Sequence, residues 1–246
     1  MNPPFVYLIF HNDLQMLLPR KRAAKVVKYA LTRRVSLKDI IESHGIPHTE
    51  VAQILLKKKA LGFGFIPMGG EEIDILPFSE EISVFTSTRL RSVLICPLKF
   101  MVDINVQKLA RNLRIIGIDT TMVPVARLVE IGSIATSQQR VLITRNRELL
   151  KCNTVIHGHL LRSENHIVQL QEVVKRYRLK SHIIPFTRCI TCNGELRSIS
   201  KQAVYHRLEP LTRKYFNTFK QCEDCEKVYW QGSHYDQMHQ IVSKVR

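Results

Sequence analysis

Four cysteines near the end of the chain, arranged as two Cys-x-x-Cys pairs, constrain its fold more than any other feature. The pairs are Cys189 with Cys192 and Cys222 with Cys225, and 29 residues separate them. Two residues between cysteines allow both sulfur atoms of a pair to face one ion from a tight turn, so two pairs supply the four thiolates of a closed tetrahedral zinc site. The spacing therefore predicts a structural zinc ion and a zinc ribbon of short strands around it.

Redox-active or disulfide-bonded cysteines are the alternative explanation. A redox Cys-x-x-Cys motif normally occurs once, beside a βαβ pattern. The apolar run at 5–10 lacks the basic stretch and the small-residue cleavage site of a secretory signal. We therefore expect a cytoplasmic, reducing environment, in which paired cysteines more often bind metal. Cys96 and Cys152 have no partner at such a spacing and are expected to be free thiols.

Composition indicates a globular protein, and the net charge indicates which kind of partner it binds. The chain has 246 residues, of which 45% are hydrophobic and 24% charged, a globular composition long enough for two domains. It has no run of about 18 apolar residues, so we expect no membrane span. The formal net charge is +16, and residues 99–185 carry 14 basic against 6 acidic side chains. This excess favours a polyanionic partner, nucleic acid before membrane, with a merely solvated basic surface as the alternative.

The pattern of residues 1–78 predicts an α+β unit in which one helix packs on a sheet. Strands are predicted at 5–10, 25–31, 54–56 and 73–76. Ser36 as N-cap, an acid at the third helical position and a glycine after the last turn indicate a short helix between the second and third strands. Residues 79–98 lose this periodicity and predict a linker.

Residues 99–185 alternate strands with helices, which is typical of a parallel α/β sheet. Strands are predicted at 100–103, 118–121, 140–144 and 154–157. Helices are predicted at 106–116, 127–135, from 145 onward, and at 167–177. The helix at 106–116 has an apolar stripe, and we place Lys108, Arg111 and Arg114 together on its opposite, basic face.

This order of motifs resembles the Mut-seven C-terminal RNase family, a PIN-like nuclease domain joined to a zinc ribbon. The matching motifs are Asp103 after an apolar strand, residues 108–120, residues 141–146, His157-Gly158, the first cysteine turn at 186–194 and residues 225–235. Residues 36–51 are similar to the β-grasp, ubiquitin-like domain often found before that RNase. The resemblance implies an α/β, PIN-like parallel-sheet domain at 99–185, preceded by an α+β β-grasp domain at 1–78 and followed by a small zinc ribbon at 186–246.

The resemblance also implies a metal-dependent ribonuclease, in which clustered carboxylates hold magnesium or manganese at the ends of parallel strands. The chain keeps Asp103 and Asp119, for which helix capping and strand-end contacts are the structural alternatives. Arg127 and Leu128 stand where the family has an acidic pair, with Glu130 as the nearest carboxylate to replace it. Asn146 stands where the family has its third acid. An arginine repels a cation and an amide does not neutralise it, so this acid-depleted site argues against hydrolysis.

We therefore expect an RNA-binding, RNA-processing protein of the PIN-like ribonuclease class. A non-catalytic RNA or ribonucleoprotein adaptor, and a protein-interaction module that docks through the β-grasp domain, are the alternatives. The basic residues expected to meet RNA phosphates, unless they form a merely solvated surface, are Lys108, Arg111, Arg114, Arg145 and Arg147. Tyr229, Trp230 and Tyr235 follow the second cysteine turn and either stack on bases or pack the ribbon against its neighbour.

Overall fold

A computed structural model describes residues 3–19, 26–79, 83–91, 97–123 and 128–246. The strands in this part are β1 (Phe5–Phe10), β2 (Val26–Ala30), β3 (Val51–Leu56), β4 (Lys59–Ala60), β5 (Glu72–Pro77), β6 (Phe100–Val102), β7 (Thr120–Met122), β8 (Val141–Thr144), β9 (Gly158–Leu160), β10 (Leu196–Ile199), β11 (Phe219–Cys222) and β12 (Val228–Trp230). The helices are α1 (Leu37–Ser43), α2 (Gln107–Ile115), α3 (Leu128–Ser137), α4 (Arg147–Lys151), α5 (His166–Arg176), α6 (Lys201–Val204), α7 (Pro210–Tyr215) and α8 (Ser233–Ser243).

The chain forms two compact units that interleave along the sequence. The first unit comprises residues 1–97 and 126–160, and the second comprises residues 98–125 and 161–246. The first unit therefore combines the β-grasp region with part of the α/β region. The division of the sequence into segments 1–78, 79–98, 99–185 and 186–246 stays a prediction.

The β-grasp region of the first unit is built on a five-stranded mixed sheet in the order β2-β1-β5-β3-β4. β1 pairs antiparallel with β2 and parallel with β5, and β3 pairs antiparallel with β5. Alternate residues of β1 (Val6, Leu8 and Phe10) are fully buried, because successive side chains of a strand point to opposite faces. The predicted order of two strands, one helix and two strands is confirmed, with the short β4 added.

The helix of this region begins and ends at the residues that its local signals indicate. Ser36 is the N-cap of α1, and its hydroxyl oxygen accepts a hydrogen bond from the Asp39 N–H at 3.2 Å. Gly45 follows the helix with a φ of +85°, a conformation that costs glycine little. The fully buried residues of α1 are Leu37, Ile40 and Ile41.

The α/β region contains two pairs of parallel strands. β6 pairs with β7 in the second unit, and β8 pairs with β9 in the first. The strand predicted at 154–157 is wrong, because the Val155 N–H bonds back to the Cys152 carbonyl and closes a turn. The apolar residues that suggested a strand lie in this turn, where Ile156 is 41% exposed, and β9 starts at Gly158.

A buried carboxylate joins the β-grasp region to β9 within the first unit. Glu50 is 2% exposed, ends a 3-10 turn at His48–Glu50, and accepts a hydrogen bond from the Leu160 N–H at 2.8 Å. His48 Nε2 lies 2.8 Å from the Val155 carbonyl oxygen. Arg91, itself buried, donates to the carbonyl of His48. Side chains thus satisfy the backbone polar groups on both sides of this turn.

The second unit packs helices beside a small antiparallel sheet. α2 contacts both α5 and α8, and the sheet has the order β10-β11-β12. The rings of Phe100 and Tyr177 meet edge to face at 5.0 Å between centroids, which fixes the start of β6 against the end of α5. Among the residues with described positions, no helix is long and apolar enough to cross a membrane.

Replacing Glu50 with alanine is expected to lower the free energy of unfolding by about 1–3 kcal/mol, because the Leu160 N–H would stay buried without its acceptor. Urea unfolding followed by circular dichroism measures this change. Glu72→Ala removes an exposed glutamate of β5 and should stay within about 0.5 kcal/mol of the wild type. Equal stabilities of the two variants would contradict the role assigned to Glu50.

Candidate functional site

The four paired cysteines converge on one point. Their sulfur atoms all lie within 4.8 Å of one another. Cys189 Sγ is 3.6 Å from Cys225 Sγ, and Cys192 Sγ is 3.3 Å from Cys222 Sγ. Metal–sulfur bonds of about 2.3 Å place tetrahedral sulfurs about 3.8 Å apart, whereas a disulfide requires about 2.05 Å. The sulfurs therefore form a four-cysteine metal-binding site compatible with a zinc ribbon, and the disulfide alternative is excluded.

Both cysteine turns use the same backbone geometry. In each, the carbonyl of the first cysteine accepts a hydrogen bond from the residue four positions later, Asn193 in one turn and Glu226 in the other. That residue has a positive φ, +79° at Asn193 and +56° at Glu226. The left-handed residue turns the chain back immediately after the second cysteine, so both sulfurs of a pair stay on one side of the turn.

Hydrogen bonds and burial shift the pKa values of Cys189, Cys192 and Cys225 in different directions. Burial alone raises the pKa of Cys189, but hydrogen bonds from the Tyr229 hydroxyl at 3.0 Å and from the Cys192 and Thr191 backbone lower it to about 6. Burial raises the pKa of Cys192 to about 12, and hydrogen bonds with the neighbouring cysteine sulfurs raise it as well. Burial also raises the pKa of Cys225. Sulfurs this close cannot all ionise without a cation between them, so the group suits a metal ion.

Arg114 is not part of an exposed basic face, and its predicted place among RNA-contacting residues is wrong. Its side chain is 2% exposed. Nε donates to the Thr120 carbonyl at 2.8 Å, and Nη1 donates to the carbonyls of Ile190 and Thr191 at 3.0 and 2.9 Å. Arg114 does follow Lys108 and Arg111 at helical spacing. The first cysteine turn covers this end of α2, and its carbonyl groups accept hydrogen bonds from the guanidinium.

Asn193 links the first cysteine turn to β7. Its Nδ2 donates to Asp119 Oδ1, and its Oδ1 accepts from the Thr120 N–H, both at 2.8 Å. One oxygen of the candidate catalytic residue Asp119 therefore has a structural contact. Sequence reasoning missed Asn193. The Cys-Asn-Gly turn signal indicates a left-handed residue there, but no local signal identifies its partners.

Asp103 and Asn146 both cap helices. Asp103, 5% exposed, accepts from the Asn105 N–H at 3.0 Å at the start of a short 3-10 turn. Asn146 Oδ1 accepts from the N–H groups of Glu148 at 3.0 Å and Leu149 at 3.4 Å at the start of α4. Asp103 belongs to the second unit and Asn146 to the first. Their roles toward a catalytic metal stay predictions.

The structure describes some of the remaining candidate residues and not others. Glu130 is exposed in the first turn of α3, and its catalytic role stays a prediction. Arg127 and Cys96 lie outside the described residues, and the side chain of Leu128 is not described. Cys152 is a free thiol, as expected.

The other predicted basic residues are exposed. Lys108 and Arg111 lie on the outer face of α2, and Arg145 lies in the turn after β8. Arg147 is also exposed, but its Nη1 donates to the Leu17 carbonyl at 2.8 Å, so it contributes to the first unit as well. Contact of these four residues with RNA stays a prediction.

Two family models agree with the sequence resemblance. The family model described as the Mut7-C RNAse domain matches residues 98–242, and the model described as Mut7-C ubiquitin matches residues 4–83. The crystal structure of SAMP1 from Haloferax volcanii is similar at 13% identity and a TM-score of 0.25, covering 31% of this chain and 97% of that chain. No curated protein matches the sequence.

Cys222→Ser is expected to release the metal ion, because three thiolates leave the coordination shell open. The wild type should retain about one ion per chain after dialysis, as measured by atomic emission spectrometry. Cys152→Ser is the matched control, since it removes a free thiol outside the site and should leave the metal content unchanged. Full retention of metal by Cys222→Ser would contradict the four-sulfur site.

Proposed function

Because the chain belongs to the Mut7-C RNase domain family, we propose that it binds RNA and serves RNA processing without hydrolysing the RNA itself. The family supplies the first part of this proposal. The hydrogen bonding of Asn146 carries the second part. The non-catalytic adaptor expected as an alternative from the sequence is therefore the form of the function that we favour.

The amide oxygen of Asn146 is already engaged at the cap of α4, which makes it a poor ligand for a cation. An amide oxygen has two lone pairs, and Asn146 Oδ1 already accepts from two backbone N–H groups. The remaining Nδ2 is only a donor. An aspartate would cap the helix with one oxygen and offer the second to an ion. Asn146 thus preserves the cap of α4 and loses the metal ligand.

Magnesium or manganese would depend on the remaining carboxylates, Asp103, Asp119 and Glu130. Such an ion would activate a water molecule and stabilise charge on the phosphate. One oxygen of Asp103 is used by the Asn105 N–H, and one of Asp119 by the Asn193 amide. An arginine at 127 in place of an acid lowers the negative charge available to a hard divalent cation, which favours carboxylate ligands.

We assign the four-cysteine site to structural zinc. Thiolates favour zinc over magnesium, manganese or calcium, for which oxygen ligands are the usual choice. Four protein ligands close a tetrahedral shell and leave no position for water, so the ion would have no catalytic role. Such thiolates persist in a reducing compartment, and we therefore place the protein in the cytoplasm.

Exposed cations support the RNA part of the proposal. Lys108, Arg111 and Arg145 are exposed, and the formal net charge of the chain is +16. Phosphate contacts of this kind hold RNA without reading its sequence. Docking of a protein partner on the ubiquitin-like domain stays a prediction, and the turn at His48–Glu50 is already engaged by its own chain.

The wild type is expected to bind single-stranded RNA without cleaving it in millimolar magnesium or manganese, as measured by fluorescence anisotropy and denaturing gels. Asn146→Asp should raise the affinity for manganese about tenfold or more, because it adds a carboxylate oxygen while keeping the cap. Isothermal titration with manganese measures this gain.

Asn165→Asp is the matched control for that experiment. Asn165 caps α5 with the same pattern, accepting from Ile167 and Val168 N–H groups at 2.8 and 3.4 Å. The substitution adds the same charge at the same kind of cap and should not raise manganese affinity. RNA cleavage by the wild type that Asp103→Asn abolishes would overturn the proposed absence of hydrolysis.

A further inference from the structure

An open groove of about 620 Å³ lies in the second unit between α2, β12 and α8. Lys108 and Arg111 on α2 form one side, Lys227 and Trp230 lie at the ends of the β12 segment, and Tyr235 on α8 forms part of the other side. This volume falls within the range of small-ligand sites, about 300–1,000 Å³. The groove is therefore large enough for one nucleotide.

The charged residues that line the groove are all basic. Lys108, Arg111 and Lys227 are all exposed, and Lys227 Nζ also donates to Thr191 Oγ1 at 3.2 Å. The lining contains no aspartate or glutamate among the described residues. Two histidines, His166 and His234, also line it. A ligand that fits must therefore carry negative charge near α2.

Trp230 supplies a flat apolar surface in the same groove. It is 39% exposed, although its indole also packs near the Phe219 ring at 6.4 Å between centroids. Gly232 makes this placement possible, because a Cβ there would lie 2.9 Å from Trp230 Nε1. The neighbouring aromatic residues already have other contacts. The Tyr229 hydroxyl contacts Cys189 Sγ, and the Tyr235 ring lies 4.8 Å from the Phe186 ring between centroids. Trp230 is thus the ring in this groove best placed to receive a stacked ligand.

We propose that this groove binds one nucleotide of a single-stranded RNA, with its base on the Trp230 indole and its flanking phosphates at Lys108 and Arg111. Single-strand binding sites combine a cationic track with an aromatic platform, and both features occur here within one cavity. An acidic peptide would satisfy the cations but would leave the flat ring without a partner. This inference rests on the proposed RNA binding and specifies where one base is held.

Trp230 is the one tryptophan of the chain, so its fluorescence reports on this groove directly. Titration of the full-length protein with a single-stranded oligoadenosine RNA should give saturable quenching of that fluorescence. Trp230→Ala should weaken RNA affinity about tenfold, whereas Trp230→Phe, which keeps a stacking ring, should lose much less. Anisotropy of end-labelled RNA measures both variants, and unchanged metal content shows that the ribbon remains folded.

The double variant Lys108→Ala, Arg111→Ala tests the phosphate contacts. It should weaken quenching and lower the slope of log affinity against log salt by about 1.4, which corresponds to two lost contacts. Arg197→Ala with Lys214→Ala is the matched control, since it removes the same charge from exposed residues that do not line the groove. The control should leave the quenching unchanged.

Three results would overturn the assignment in distinguishable ways. RNA binding by anisotropy without Trp230 quenching, and with equal affinity in the two double variants, would refute the groove and leave the proposed function standing. The absence of any RNA binding would refute both. Quenching by polyglutamate but not by RNA would assign the groove to an acidic protein partner instead.

Discussion

The guanidinium of Arg114 donates to the carbonyl groups of Thr120, Ile190 and Thr191, and it does so from a position that is only 2% exposed. Burial lowers the pKa of Arg114, while the nearby Cys189 and Cys192 sulfurs and Asp119 act to raise it. A divalent ion held by four thiolates keeps a net charge of about −2, so the ion site and the buried cation stabilise each other. The position of the ribbon on α2 and the charge balance of the metal site therefore depend on the same contact.

Local signals in the sequence were sufficient for the metal site and for much of the fold. The cysteine spacing, the N-cap at Ser36 and the apolar run at 5–10 all act over a few residues, and the structure follows each of them. Arg114 shows where such reasoning stops. Its helical register correctly put it in line with Lys108 and Arg111, but two of its three partners lie 76 and 77 residues further along the chain. Only the tertiary fold decides which of three equivalent cations is exposed.

The positions proposed for the catalytic acids have structural contacts that need no metal ion. Asn146 retains the helix cap that an aspartate would form, so the local backbone does not depend on the negative charge. Asp103 and Asp119 likewise have backbone or amide contacts that need no metal ion. The sequence revealed the changed residue types, but the structural reason that the fold tolerates them lies in hydrogen bonds that residue identity alone does not specify.

β9 pairs with β8, and the Leu160 N–H of β9 donates a hydrogen bond to the buried carboxylate of Glu50. A strand edge with open backbone groups is a template for pairing with another chain, and a charged side chain at that edge opposes such pairing. The β-grasp region thus occupies a backbone donor at an edge of the α/β region. A fragment that lacked residues 1–97 would carry this edge bare, so insolubility of such a fragment would reflect the missing cover and would reveal nothing about its ability to bind RNA.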